Sequence, residues 1–195
     1  MAAQTKGART SEKLVETMLE LIQVRGYSGT GLNVIVEQSG APKGSMYFHF
    51  PEGKEQLAER AIMLAEQRFR DLITSATASE ASPRELVKGL IDAFAALLVD
   101  SDYQLGCPVS VVTLEMGAHS ERLRTACARA YESWIAATAE YLAALGYSDE
   151  EARQLGTAMV STVEGAMIVA RAQRDPEPLY SAGYLLSALL DQKGN

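Results

Sequence analysis

Apolar and polar positions alternate with helical spacing along most of the chain. Leu14, Met18, Leu21 and Ile22 recur three and four residues apart, behind Thr10 or Ser11 as a cap, and the pattern stops at Gly26. Leu32, Ile35 and Val36 predict a short second helix, with Thr30 placed to cap it and Ser39-Gly40 to end it. A third short segment carries Met46 and Phe50, four apart and so on one face. After Pro51-Glu52-Gly53 the predicted helices lengthen. One runs from about Lys54 to Ala78, and Ser82-Pro83 opens another with Leu86, Leu90, Phe94 and Leu97 on one face. Pro108 opens a short one. Ser120 caps a long helix with the stripe Leu123, Cys127, Tyr131, Trp134, Thr138, Tyr141 and Leu145, and Gly146 ends it. Ser148 caps the next, with Asp149, Glu150 and Glu151 in the first turn, where the helix dipole favours acids. It reaches about Arg174, Asp175-Pro176 breaks it, and a last helix covers about Leu179 to Leu190. No strand-like alternation and no internal repeat occurs. The expectation is an all-α protein of about nine helices: a head of three short helices in residues 1–53, and a larger helical body in residues 54–195.

The stretch GAPKGSMYFHFPEGKEQL, from Gly40 to Leu57, departs from an ordinary amphipathic pattern. Gly40 ends one helix, and Pro42 suits the first position of the next, where its missing N–H costs nothing. With Met46 and Phe50 facing the core, Gly44 and Phe48 point outward. Lys43 and Tyr47 flank one side, and Ser45 and His49 the other. A glycine costs about 1 kcal/mol in a helix interior and belongs where another backbone comes close. Hydroxyl and basic groups at a helix N-terminus suit phosphate oxygens, and Tyr47 and Phe48 suit thymine methyls and sugars in a major groove. The same residues are also compatible with a plain amphipathic hairpin that leaves Phe48 exposed.

Charge sharpens this picture. The 195 residues carry a net charge of −7, but bases and acids balance up to residue 60. The excess of acid therefore lies entirely in the body, and an electroneutral head is compatible with DNA. Lys6 and Arg9 lie in a polar N-terminal tail that could reach outward. A sequence-tolerant architectural DNA protein would be basic overall, which this chain is not. No nucleophile motif, metal cluster or phosphate loop points to an enzyme, and no cofactor or metal is expected. The two cysteines, Cys107 and Cys127, share no metal-ligand spacing with His49 or His119. They read as buried thiols or, alternatively, as a redox switch. No apolar run approaches the ~20 residues of a membrane span, and MAAQTKGARTSEK has no apolar signal core, so a cytoplasmic protein is expected.

The segment GYSGTGLNVIVEQSGAPKGSMYFHFPEGKEQL resembles the helix-turn-helix of TetR-type transcriptional regulators. Gly26-Tyr27, Thr30, Ile35, Ser39-Gly40, Lys43-Gly44-Ser45, Tyr47, His49-Phe50, Lys54 and Leu57 carry the resemblance. GCPV (Gly106 to Val109), EGAMIVARAQRD (Glu164 to Asp175) and the PEGKEQL turn look like the LmrA/YxaF-type subgroup. The resemblance implies a recognition helix from Pro42 to His49, with Lys43, Ser45, Tyr47 and His49 on DNA. It also implies phosphate contacts at Thr30 and Lys54 and an occasional base contact at Asn33. Many relatives have a serine where this chain has Pro42, so one capping hydroxyl is absent.

In the body, Tyr131, Trp134 and Tyr141 bring hydrogen-bonding tips to a large semi-polar stripe. Phe94, Tyr103, Cys107, Met116, Met159 and Met167 are candidates to face them. Taken singly these residues read as core. As a set, with the resemblance, they imply an apolar pocket for a small apolar or aromatic inducer. Ala158, Ser161, Gly165 and Ala172 put small side chains along one helix. With Tyr184, Leu185 and Leu189 on the last, they point to a symmetric four-helix homodimer interface, the alternative being packing on the Trp134 helix. The expected function is a dimeric repressor of palindromic operator DNA, released by that ligand.

Overall fold

The computed structural model describes residues 6–77 and 82–191, and contains nine α-helices and no strand among them. The helices are α1 (Lys6–Arg25), α2 (Leu32–Ser39), α3 (Ser45–His49), α4 (Lys54–Thr77), α5 (Pro83–Asp100), α6 (Pro108–Met116), α7 (Glu121–Ala144), α8 (Asp149–Gln173) and α9 (Glu177–Asp191). Ala78, the expected end of α4, lies outside the described residues. No described helix is long and apolar enough to cross a membrane.

The chain divides into two compact units. The first comprises Met1–Gln67 and Pro108–Ala130, so it joins the head to α6 and the start of α7. Its core is built from Leu14, Met18 and Ile22 of α1, Ile35 of α2, Met46 and Phe50 around α3, and Leu57 and Ile62 of α4, all nearly solvent-free. Helix α1 packs against α2, α3 and α6.

The second unit comprises Arg68–Cys107 and Tyr131–Asn195. Val87, Ile91, Ala95 and Leu98 of α5 interleave with Ala166, Met167 and Ala170 of α8 and Leu179, Ala182 and Leu186 of α9. A Cβ on Gly183 would fall 2.9 Å from Ile91, so this glycine sets how closely α9 approaches α5. Likewise, a Cβ on Gly156 of α8 would fall 3.1 Å from the Ile135 carbonyl of α7.

Two helix starts follow the sequence reading closely. Ser82 opens α5 and Ser148 opens α8. Each hydroxyl accepts an N–H three residues on, and Glu85 and Glu151 reach back to the serine N–H groups. Three other starts differ. Helix α1 begins at Lys6, so Thr10 and Ser11 lie inside it and Arg9 belongs to the helix rather than to a loose tail. Gly31, not Thr30, is the N-cap of α2. Helix α3 begins only at Ser45, because Pro42 to Gly44 form a turn closed by the Ser45 N–H on the Pro42 carbonyl at 2.9 Å. The expected face of α5 is also displaced by one residue. Val87, Ile91, Ala95 and Leu98 are its deepest residues, while Leu90, Phe94 and Leu97 are half-buried.

Candidate functional site

Helix α3 has only five residues, and two of them anchor its orientation. Met46 and the following Phe50 are buried at 1 % and 3 % exposure. This turns Tyr47 and Phe48 outward, at 65 % and 80 % exposure. Lys43, Gly44 and Asn33 are also exposed. No Cβ on Gly44 would meet any atom within 4 Å, so this surface is open. Ser45 and His49 are half-buried. The Ser45 hydroxyl donates to the Pro42 carbonyl at 2.6 Å, closing the turn. The His49 ring packs edge-on to Phe48, with centroids 5.0 Å apart, and lies beside Gly7 of α1. An exposed aromatic pair on a rigidly anchored turn of helix is suited to contact the apolar edges of bases.

Thr30 departs from expectation. It is fully buried, and its hydroxyl donates to the Gly26 carbonyl at 2.7 Å. Its side chain therefore fastens the turn between α1 and α2 from within and presents no surface to a phosphate. Lys54 is partly committed to the same turn. Its ammonium donates to the Tyr27 carbonyl at 2.6 Å and stands 3.9 Å over the Tyr27 ring centroid. Burial lowers its pKa, while the Glu115 carboxylate opposes the shift.

In the second unit, Trp134 is 3 % exposed at the centre of an aromatic group. Tyr131 meets it edge-on at 5.5 Å. Phe69 of α4 meets it at 4.7 Å and stacks on Phe94 at 5.7 Å. Phe69 was absent from the sequence reading, although it continues the α4 stripe of Ile62 and Ile73. Phe94, Tyr103, Cys107 and Met159 pack as half-buried neighbours on the α5–α8–α9 core, and Met167 is part of that core. Met116, at the end of α6, belongs to the first unit. Cys127 belongs there too. It is buried, and burial raises its thiol pKa despite a hydrogen bond with Thr113, which disfavours a reactive thiolate. Cys107 is half-buried in the second unit.

Ala158, Ser161, Gly165 and Ala172 of α8 are exposed, and a Cβ on Gly165 would meet nothing within 4 Å. The small residue that packs on the Trp134 helix is Gly156 instead. Tyr184, Leu185 and Leu189 of α9 are exposed at 77 %, 52 % and 39 %. Ile168 and Val169, missed by the sequence reading, extend the exposed face of α8 at 48 % and 44 %.

Comparison with known proteins agrees with this architecture. Residues 14–61 match the bacterial regulatory proteins of the tetR family. Residues 83–184 match the C-terminal domain of LmrA/YxaF-like transcriptional regulators. The chain is 36 % identical over 190 residues to the HTH-type transcriptional regulator YxaF of Bacillus subtilis, covering 97 % of this chain and 100 % of YxaF. It is 33 % identical over 179 residues to the HTH-type transcriptional regulator LmrA of the same organism, covering 92 % of this chain and 95 % of LmrA. The crystal structure of regulatory protein TetR from Rhodobacter sphaeroides superposes with a TM-score of 0.82 at 25 % identity, covering 92 % of this chain and 97 % of that one. The chain therefore belongs to the TetR family of DNA-binding transcriptional regulators, in its LmrA/YxaF-like branch, and is not an enzyme.

Proposed function

We propose that the chain is a cytoplasmic homodimeric repressor whose two heads, residues 1–53 of each protomer, read the half-sites of a roughly palindromic operator. Residues 54–195 sense a small apolar or aromatic ligand and form the dimer. The observation that carries the DNA reading is the exposed pair Tyr47 and Phe48, held outward by buried Met46 and Phe50. On this reading Lys43, Gly44, Ser45, His49 and Asn33 add further contacts to those of the pair, with Lys54 reaching a phosphate through its remaining N–H groups. The exposed Ile168 and Val169 of α8 and Tyr184, Leu185 and Leu189 of α9 are the apolar groups that a two-fold dimer would bury. The group of Phe69, Phe94, Tyr131 and Trp134 is the feature an aromatic ligand would join. A dimer seated on a promoter blocks transcription by occupancy.

Selection of duplexes from a random pool tests the reading. The enriched sequence should be an inverted repeat with half-site centres about one helical turn, ~34–36 Å, apart. That sequence placed in a promoter should lower transcription in vitro. Enrichment of no sequence would remove operator recognition, and raised transcription would make the protein an activator.

A further inference from the structure

The segment that carries α2 and α3 is fastened at both ends to one corner of the same compact unit. The turn before α2 is gripped by Glu115, next to last in α6, whose Oε2 accepts the Ser28 N–H at 2.7 Å. The other oxygen, Oε1, occupies the space over Gly26, where a Cβ would lie 2.0 Å from it. Gly26 has φ +75°, so this bare position serves both the turn and the carboxylate. Lys54 holds the same turn through the Tyr27 carbonyl. Beyond α3, Ser120 donates its hydroxyl to Glu55 at 2.9 Å, and Arg122 pairs with Glu52 and, at 3.1 Å, with Glu59. The residues from Glu115 to Arg122 therefore span the turn between α6 and α7 and clamp the reading segment on either side.

We propose that Glu115 is a positioning residue for DNA reading: its hydrogen bond to Ser28 fixes the angle at which the α2–α3 segment presents Tyr47 and Phe48. This rests on the operator reading above. The carboxylate itself does not touch DNA, and its charge opposes binding, because it adds a negative group to a head that approaches phosphates. Removing the charge alone strengthens binding to any duplex. Removing the hydrogen bond weakens binding only where geometry matters, which is on the operator.

Glu115→Ala and Glu115→Gln make the same change of charge, but only glutamine keeps an oxygen that can accept the Ser28 N–H. Each full-length variant is titrated with the selected operator and with a random duplex of equal length at one salt concentration. Helicity and sedimentation establish that each variant is folded and assembled like the wild type, and the amide nitrogen spectrum follows Ser28. Glu115→Ala should bind the operator about tenfold more weakly, with random binding unchanged or tighter, and should shift the Ser28 amide signal. Glu115→Gln should recover most of the operator affinity and the Ser28 shift. A selective wild type with an equally selective Glu115→Ala overturns the positioning role alone, as does Glu115→Gln behaving like Glu115→Ala. A wild type that prefers no duplex overturns the operator reading as well.

Discussion

At the scale of single residues, neighbours along α3 have opposite jobs. Met46 is 1 % exposed and Tyr47 65 %, though they adjoin in sequence. Tyr47→Ala should leave the unfolding midpoint in urea unchanged and weaken the operator complex by ~1–3 kcal/mol, with a smaller loss on random DNA. Equal losses on both would assign Tyr47 to the backbone. Met46→Ala should instead destabilise the fold by about 2–5 kcal/mol, since it empties a buried site. This division was legible, because the four-residue spacing of Met46 and Phe50 determines the outward positions. The hydrogen bonds of Thr30 and Lys54 to the carbonyls of Gly26 and Tyr27 were not, because a side chain facing a phosphate and one facing a backbone carbonyl look alike in sequence. The cysteines separate by burial in the same way. With its thiol pKa raised by burial, Cys127 should resist iodoacetamide at pH 8 until the protein unfolds, whereas half-buried Cys107 reacts first. Mass spectrometry of the alkylated peptides checks this order. Prompt alkylation of Cys127 in the folded protein would restore the redox reading.

At the scale of elements, helix ends were most legible where a local rule acts alone. Ser82 and Ser148 open α5 and α8 as read, and the structure closes each start into a Ser-x-x-Glu box. The start of α3 was less legible, because Pro42 and Gly44 favour a turn as readily as a first helical turn. The end of α5 carried no glycine to mark it. There the Asp102 N–H donates to the Val99 carbonyl and the Tyr103 N–H to the Leu98 carbonyl, with Asp102 at φ +52°. This is the Schellman arrangement, in which the left-handed residue is normally glycine. Arg174, itself left-handed at φ +55° after α8, pairs with the Asp102 carboxylate. Arg171 secures the same loop by donating to the Tyr103 and Gln104 carbonyls at 3.2 and 2.8 Å. The left-handed strain and the exposed ion pair act against each other. An exposed pair is worth about 0–1 kcal/mol, and a non-glycine residue at such a φ costs about 1–2 kcal/mol. Asp102→Gly should therefore raise stability by up to ~2 kcal/mol, or about 4–8 °C in Tm. A lower Tm by calorimetry would mean that the Arg174 pair outweighs the strain.

At the scale of the whole molecule, the all-α class and the order of helices were legible from periodicity. Side-chain spacing alone could not say whether the small residues of α8 face this chain or another. The structure puts Gly156 inward and leaves Gly165 open. Gly165→Leu should thus fold normally as a protomer, yet add bulk to the proposed partner contact, where overpacking costs ~1–3 kcal/mol. Sedimentation should find it dissociating at concentrations where the wild type is dimeric, and a dimer of unchanged affinity would place the interface elsewhere. The proposed ligand response would depend on linkage between two further sites. Helix α4 carries Lys54, which holds the head turn, and Phe69, which meets Trp134. On the proposed reading, a ligand that enters among Phe69, Phe94 and Trp134 should displace Phe69 and, with it, α4. Equal affinity for the bound and released forms of the protein would shift nothing, so an inducer must prefer the released form. Trp134 is the only tryptophan, and its fluorescence reports that group without labelling. An inducer should quench Trp134 and release the operator over the same range of concentration. Operator DNA must in turn weaken that ligand by the same factor, typically ~5–150-fold. Phe69→Leu removes the stacking ring and keeps an apolar α4, so it should weaken the ligand while leaving ligand-free operator binding intact. A ligand that quenches Trp134 with one affinity, whether or not operator is present, would occupy the aromatic group without governing the heads.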